Sequence, residues 1–194
     1  MKQILLIVDP QNDFCKGGSL AVDGAYEALE LLSRYLENEE VKECFDKIIV
    51  TQDYHPTTHC SFKENGGIWP SHCVRETEGA DIIKPLENVL NTHFADKTIF
   101  VHKGEDETRE EYSIFDSNSR QFVIDTINEV KGDDELKICI CGVAGDFCVL
   151  ETLKGAVEVF GKDSVCVFKD FTASIDGGEK LTEYCGQNGI DLFN

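Results

Sequence analysis

Short apolar runs alternate with longer amphipathic stretches along the whole chain. The apolar runs are of strand length and rich in branched aliphatic residues, which predicts strands at residues 4–8, 47–52, 98–102, 136–142, 164–168 and 190–193. Between them, apolar positions at helical spacing predict helices at residues 25–45, 119–130 and 147–160, with weaker patterns at 79–94 and 178–185. The pattern therefore predicts an α/β fold.

The order of these elements indicates the architecture. Apolar strands that alternate with helices are typical of a parallel sheet covered by helices on both faces. Because a typical domain has about 150 residues, we expect residues 1–194 to form a single domain with a doubly wound sheet. In such sheets ligands bind beyond the carboxyl ends of the strands, so the residues that follow each strand are the candidates for chemistry.

Composition narrows the range of partners. The chain has 18 Lys and Arg against 37 Asp and Glu, a net charge of −19 with no basic run. This excess repels phosphate and anionic lipid, so we expect no nucleic acid or membrane partner, and small molecules or proteins remain. The nine cysteines are odd in number, and the amino-terminal apolar run is too short for a signal peptide, which predicts a reducing cytoplasm. The sequence carries no signal for the oligomeric state.

An acid, a lysine and a cysteine follow three of the predicted strands: Asp9, Lys103 and Cys148. Cys148 lies in the first turn of a helix, where free N–H groups and the positive end of the helix dipole favour a thiolate. The N–H groups near Ala144 and at Cys148 are placed to hold an oxyanion. The sequence thus predicts a nucleophilic cysteine, with Asp9, Lys103 or a histidine as its base, whereas the cysteines inside strands are expected to be inert.

A second cluster of polar residues follows the second strand and its long loop. Asp53 and His55 form an Asp-x-His pair, and His59 and His72 lie farther along. Carboxylate and imidazole ligands suit one divalent ion with open positions, with zinc first and iron or manganese as alternatives. Two other interpretations are a structural zinc clip that uses Cys60, Cys73 and two histidines, and a polar loop that binds no metal.

Several segments closely resemble the nicotinamidases of the isochorismatase-like cysteine hydrolase superfamily, and the resemblance runs from about residue 4 to residue 171. The segments that carry it are DPQNDFC at 9–15, GGSLAV at 17–22, DYHPTTHCSF at 53–62, WPSHCV at 69–74, Lys103-Gly104, Tyr112-Ser113 and GVAGDFCV at 142–149.

The resemblance implies a three-layer α/β/α sandwich with a six-stranded parallel sheet. It also implies roles for individual residues: a triad of Asp9, Lys103 and Cys148, a metal held by Asp53, His55 and His72, a pyridine ring near Phe14, Trp69 and Tyr112, and an oxyanion hole of Ala144 and Cys148 after a cis Val143-Ala144 peptide. Lys103 would lower the pKa of the Cys148 thiol. His59 is a candidate for a further ligand or a substrate contact.

The activity implied is hydrolysis of nicotinamide to nicotinic acid and ammonia through a thioester, in NAD salvage, with pyrazinamide as a further substrate. The alternatives are another cysteine hydrolase of the superfamily acting on a different small amide, and a non-catalytic metal or thiol redox sensor. Two features depart from the family pattern. Gly145 stands where Thr is usual, which would loosen the turn, and the acidic segment 105–111 beside Lys103 could alter substrate entry.

Overall fold

A computed structural model describes residues 1–194, and its centre is a sheet of six parallel strands. The strands are β1 (Lys2–Val8), β2 (Lys47–Asp53), β3 (Thr98–Lys103), β4 (Leu136–Val143), β5 (Val165–Ala173) and β6 (Asp191–Phe193). Their order across the sheet is β3-β2-β1-β4-β5-β6, and every neighbouring pair is parallel. The predicted doubly wound sheet is confirmed.

Five helices cover the two faces of the sheet. They are α1 (Ala25–Glu37), α2 (Lys84–His93), α3 (Arg120–Lys131), α4 (Cys148–Phe160) and α5 (Glu179–Asn188). The buried side chains of α1 and α2 belong to one hydrophobic core, and those of α3, α4 and α5 belong to the other. This three-layer α/β/α arrangement is the one that the sequence predicts. No helix is both long and apolar enough to cross a bilayer.

The central strand β1 shows why the strands appear as unbroken apolar runs. Ile4, Leu6 and Val8 point into one core, while Leu5 and Ile7 point into the other, and all five are fully buried. A strand covered on both faces has no solvent side and so shows no alternation. Burial of each such side chain stabilises the fold by about 1.5–3 kcal/mol.

The observed elements differ from the predicted ones in two main places. Helix α1 ends at Glu37 and not at residue 45, because the chain continues as turns whose Val41 and Phe45 still reach the core and mimic helical spacing. Strand β5 continues to Ala173, five residues beyond its predicted end, because pairing with β4 resumes after an irregularity near Gly142. Its outer half is partly exposed, so the apolar signal ends early.

The switch point of the sheet lies between β1 and β4. Helix α1 follows β1 onto one face and α4 follows β4 onto the other, so a crevice opens at the carboxyl ends of these strands. Asp9, Asp53, Lys103 and Cys148 follow or end β1, β2, β3 and β4 respectively. The fold therefore brings these four side chains to the same edge.

Candidate active site

Lys103 is the centre of a buried cluster of charges. Its Nζ lies 2.8 Å from Asp9 Oδ2, 2.5 Å from Asp53 Oδ1 and 3.5 Å from Cys148 Sγ. All four residues are buried. The three side chains predicted as a triad are thus in one group, and Asp53 joins this group to the candidate metal ligands.

The environment of Asp9 tunes its proton affinity. Thr51 Oγ1 donates a hydrogen bond to Asp9 Oδ1 at 2.7 Å. Burial raises the pKa of Asp9 to about 6, with the negative charge of Asp53 adding to the effect and Lys103 opposing it. A carboxylate with a pKa this close to neutrality is suited to accept a proton from a substrate or a nucleophile.

Lys103 and Asp53 keep opposite charges despite complete burial. Burial opposes the charge on Lys103, but Asp53 and Asp9 outweigh it and raise the pKa of Lys103 well above its usual range. Burial likewise opposes the charge on Asp53, and Lys103 with His55 lowers the pKa of that carboxyl nonetheless. An ion pair of this kind depends on its partners, since removing one leaves an uncompensated buried charge.

Cys148 is the first residue of α4, as predicted, and its surroundings favour the thiol over the thiolate. Burial raises the pKa of Cys148 well above its ordinary value, and Asp9 and Asp53 add to this, while Lys103 lowers it. Lys103 thus lowers the pKa of Cys148, as expected, but burial and the two carboxylates outweigh its effect. The helix position that the sequence identified favours a thiolate, whereas burial and the two carboxylates, which the sequence did not reveal, oppose it. Asp9, Asp53 and Cys148 each offer an atom within 4.8 Å of the others.

Two backbone N–H groups beside Cys148 have no protein acceptor. The Val143-Ala144 peptide is cis, as the family resemblance implies, and the N–H groups of Ala144 and Cys148 donate to no protein atom. The Ala144 carbonyl instead accepts from the N–H groups of Phe147 and Val149, each at 3.1 Å. Unpaired N–H groups next to a nucleophile are the components of an oxyanion hole.

The turn around Gly145 is tightly held, contrary to the loosening expected from the missing threonine. The Gly145 N–H donates to the Ala173 carbonyl at 2.7 Å, which ties the turn to the end of β5. A Cβ at position 145 would meet Ser174 Oγ, so a larger residue here would require the serine side chain to shift. Asp146 accepts from the N–H groups of Ile175 and Asp176, and so fastens the neighbouring loop.

Asp53, His55 and His72 form a buried cluster that can hold a metal ion, and one ligand atom of each lies within 4.8 Å of the others. The Nε2 atoms of His55 and His72 lie 3.5 Å and 3.9 Å from Asp53 Oδ2. Each Nδ1 lies 2.8 Å from a backbone carbonyl, Gly104 for His55 and Pro70 for His72. An Nδ1–H that donates to a carbonyl leaves the Nε2 lone pair free for a metal. This donor set fits a divalent ion with open positions.

His59 lies outside this cluster. Its ring lies 4.1 Å from the ring of His55, its Nε2 is 3.1 Å from the Arg109 carbonyl, and its Nδ1 is 2.7 Å from Ser61 Oγ. Burial lowers the pKa of His59 to about 4. Both ring nitrogens therefore contact protein atoms, and the ring of His59 packs against the ring of His55.

The structure also bears on the alternative zinc clip. Cys73 is packed in a hydrophobic core and Cys60 is half-buried, and neither belongs to a cluster of candidate metal ligands. The arrangement thus favours the Asp53 cluster over a structural clip.

An aromatic cleft leads to Cys148 and the metal cluster. Phe14, Trp69 and Tyr112 all line it, as the sequence predicts. Trp69 Nε1 donates to Tyr112 Oη at 3.0 Å, which fixes both rings. Phe147 packs edge-on against Trp69 with 5.1 Å between ring centroids, a contact that sequence reasoning missed. The sequence signal for a role of Phe147 in the cleft was its position directly before Cys148.

Gln11 holds the metal-binding strand end in place and was also missed. Its Oε1 accepts from the Asp53 N–H at 2.8 Å, and its Nε2 donates to the Asp53 carbonyl at 2.7 Å. The side chain is fully buried. Gln11 thus holds the backbone of Asp53, the residue that belongs to both the charge cluster and the metal cluster.

The acidic segment 105–111 forms part of the site wall. Glu111 is buried, and its Oε2 accepts from the Gly104 N–H at 2.9 Å while its Oε1 pairs with Arg109. The neighbouring Glu110 lines the cleft, and burial together with Asp53 raises the pKa of its carboxyl. Glu111 thereby holds Gly104 in place. Gly104 follows Lys103 in the chain, and its carbonyl contacts His55.

Comparison with known sequences points in the same direction as the geometry. The isochorismatase domain model matches residues 3–180. A nicotinamidase of Escherichia coli is 30% identical over 176 residues, which cover 83% of this chain and 79% of the relative.

Solved structures extend the similarity to the whole fold. A pyrazinamidase of Pyrococcus horikoshii in complex with zinc superposes with a TM-score of 0.82 and 28% identity, covering 100% of this chain and 99% of the other. A yeast nicotinamidase bound to the inhibitor nicotinaldehyde superposes with a TM-score of 0.84 and 25% identity, covering 99% of each chain. The fold is therefore shared over almost the whole length of the chain.

Proposed function

This chain belongs to the isochorismatase domain family, and from that premise we propose that it is a nicotinamidase, which hydrolyses nicotinamide to nicotinic acid and ammonia. The observation that carries the proposal is the position of Lys103, whose Nζ lies within 3.5 Å of Asp9, Asp53 and Cys148 atoms. It joins a nucleophile, a base and a metal cluster at the end of one aromatic cleft. A flat pyridine carboxamide fits between such rings with its amide toward Cys148.

Acylation begins with proton transfer from the Cys148 thiol to Asp9. A buried thiol is a poor nucleophile until a base removes its proton, and Asp9, with a pKa of about 6, is ionised near neutral pH and is the nearby base. The thiolate attacks the amide carbon, and the N–H groups of Ala144 and Cys148 hold the oxyanion. Asp9 then donates the proton to the leaving nitrogen, the C–N bond breaks, ammonia departs and a thioester remains.

Deacylation reverses the proton path. Asp9 accepts a proton from water, the hydroxide attacks the thioester carbon, and the C–S bond breaks as the proton returns to Cys148. Lys103 keeps its charge throughout and offsets the negative charge that Asp9 and Cys148 share in turn. The products are nicotinic acid and the original enzyme.

Asp53, His55 and His72 would hold one divalent metal ion beside the cleft. When bound, the ion supplies a Lewis-acidic point for the pyridine nitrogen, directly or through water, which orients the ring. Zinc is the ion we assign, with iron or manganese as alternatives, and the mixed carboxylate and imidazole donors together with the zinc complex of a related pyrazinamidase support it.

The wider biological assignment follows from this reaction. Nicotinic acid formation places the enzyme in NAD salvage, and pyrazinamide, which has a similar ring and amide, is a second substrate. Nine free cysteines support a reducing cytoplasm, and the single sheet with both faces packed supports one hydrolase domain across residues 1–194. The similarity to nicotinamidases favours this reaction over a different small amide and over a sensor without turnover.

Ammonia release from nicotinamide by the purified, zinc-loaded protein tests the proposal. Pyrazinamide is the second substrate, and benzamide, which lacks the ring nitrogen, is the matched control. We expect release from the first two and much weaker release from benzamide. Release from none of them by a folded, metal-loaded protein would overturn the assignment, and equal release from all three would overturn the role given to the ring nitrogen.

A further inference from the structure

A pair of thiols lies away from the active site, toward the opposite end of the sheet. Cys139 and Cys166 are in-register partners on the parallel strands β4 and β5. Their sulfur atoms are 3.3 Å apart, and both cysteines are free. Both line an open cavity of about 910 Å³ among the amino-terminal halves of β4 and β5 and the loop before β4. Neither residue takes part in the mechanism above.

The register of β4 and β5 places the two cysteines at a spacing that a disulfide can span. Neighbouring strands lie about 4.8 Å apart, and disulfides join Cα atoms at about 4.4–6.8 Å. The two sulfur atoms need only approach to about 2.05 Å, which side-chain rotation can supply. Cys141, two residues along the same face of β4, is fully buried and makes no hydrogen bond to another sulfur, so the chain contains its own comparison thiol.

We propose that Cys139 and Cys166 form a modification site, at which a hydroperoxide oxidises the two thiols to a disulfide. The Cys139 sulfur attacks the peroxide, the O–O bond breaks, and a sulfenic acid and water (or an alcohol) form. Cys166 then attacks the sulfenic sulfur, the S–S bond forms and the S–O bond breaks as a second water leaves. Two thiols are oxidised, one peroxide is reduced, and the two thiol protons end in water.

The surroundings of the pair indicate which sulfur reacts first. The Cys166 thiol donates its hydrogen bond to the Cys139 sulfur, and this bond lowers the pKa of Cys139 despite burial. Lys137, which also lines the cavity, acts in the same direction. The pKa of Cys166 is raised by the same hydrogen bond. Cys139 is therefore the attacking thiol and Cys166 the resolving one.

A disulfide here would close the loop that carries the reaction centre. The segment between Cys139 and Cys166 contains the oxyanion-hole residue Ala144, the nucleophile Cys148 and the whole of α4. A covalent link between β4 and β5 would tie the base of this segment without touching the cleft. The proposal does not depend on the substrate of the enzyme.

The test is differential cysteine labelling of the intact chain. The native protein is treated with hydrogen peroxide, denatured, labelled with one alkylating reagent, reduced, and labelled with an isotopically distinct reagent before peptide mapping. We expect Cys139 and Cys166 to carry the second label together, and a cross-linked peptide of the two to appear before reduction. Cys141 should carry the first label. In Cys166→Ala, dimedone should trap a sulfenic acid on Cys139.

Other outcomes overturn the proposal. If Cys139 and Cys166 keep the first label while exposed Cys44 or the nucleophile Cys148 becomes oxidised, the pair is not a modification site. Oxidation of the urea-unfolded chain gives the reference for random pairing. If the native protein yields the same mixture of cross-links as the unfolded chain, the juxtaposition on the strands has no chemical consequence.

Discussion

Two groups of buried thiols, Cys148 and the pair Cys139 with Cys166, lie in opposite electrostatic settings. Cys148 has a cation and two carboxylates around it, and burial together with the carboxylates raises its pKa. Cys139 has a neutral thiol donor and no carboxylate against it, and its pKa is lowered. Both sulfurs are buried, so the groups around each of them make the difference between the two sites.

The difference lies in what each thiol needs in order to react. Cys148 needs a base, and Asp9 supplies one, beside free N–H groups and an aromatic cleft that admits an amide. Cys139 has the hydrogen bond from Cys166 but no oxyanion hole and no ring-binding cleft. The carboxyl end of β4 is thus suited to acyl transfer, and its amino-terminal half only to thiol exchange.

Replacing Cys148 should have the largest effect on turnover. Cys148→Ala removes the nucleophile, so ammonia release should fall by about 10⁶-fold, the scale seen when such a nucleophile is lost. The melting temperature should change little, since the side chain is small. Turnover within tenfold of wild type would exclude Cys148 as the nucleophile.

Asp9→Asn should rank second. The amide cannot accept the thiol proton, so kcat/KM should fall by about 10²–10⁴-fold. In the wild type, kcat/KM should decrease as the pH falls through about 6, because protonated Asp9 is no longer a base. The variant should lack this acidic limb. An unchanged acidic limb in Asp9→Asn would assign the titration to another group.

Removal of the metal should come third. Chelation followed by desalting should lower kcat/KM by about 10²-fold or more, because orientation and charge stabilisation of several kcal/mol are lost. Added zinc should restore the activity, and elemental analysis should track it. The circular dichroism spectrum serves as the control for folding. Full activity in protein shown to be metal-free would limit Asp53, His55 and His72 to a structural role.

Glu111→Gln should have a smaller effect of about tenfold on metal affinity and on kcat/KM, as for other residues that orient metal ligands. The substitution weakens the contacts to Gly104 and Arg109, and Gly104 accepts the His55 hydrogen bond. Glu107→Gln is the matched control, because Glu107 is in the same segment and exposed. If the two substitutions have equal effects, the loss of a negative charge in this segment explains them, and Glu111 has no positioning role.

Cys139→Ala should have the smallest effect on the reaction. We expect a loss of stability of about 1 kcal/mol and a kcat within twofold of wild type. A urea melt and the ammonia assay measure the two quantities. A loss of activity comparable to that of Cys148→Ala would remove the distinction between the two thiol sites.

Much of the fold was predictable because the strands give apolar runs, which are longest in β1, β2 and β4, where the residues are buried on both faces, and shorter in the edge strand β3, where Phe100 is exposed. The ends of those runs also located Asp9, Lys103 and Cys148. The end of α1 was not predictable, since Val41 and Phe45 continue the apolar spacing outside the helix.

Contacts between distant segments account for what the sequence did not predict in the site. The raised pKa of Cys148 results from burial and from carboxylates at the ends of β1 and β2. The engagement of His59 Nε2 depends on the carbonyl of Arg109, fifty residues away. Glu111 resembled any surface acid until the structure placed it against Gly104. Such contacts have no local signature in residue spacing.

Acid quenching during turnover tests the central claim most directly. The wild-type enzyme is mixed with nicotinamide, quenched within the first turnovers, digested and analysed by mass spectrometry. We predict a nicotinoyl group on the peptide that contains Cys148 and none on the peptides that contain Cys139 or Cys166. A nicotinoyl group on another residue, or ammonia release without any acylated Cys148 peptide, would contradict the assignment of Cys148 as the nucleophile.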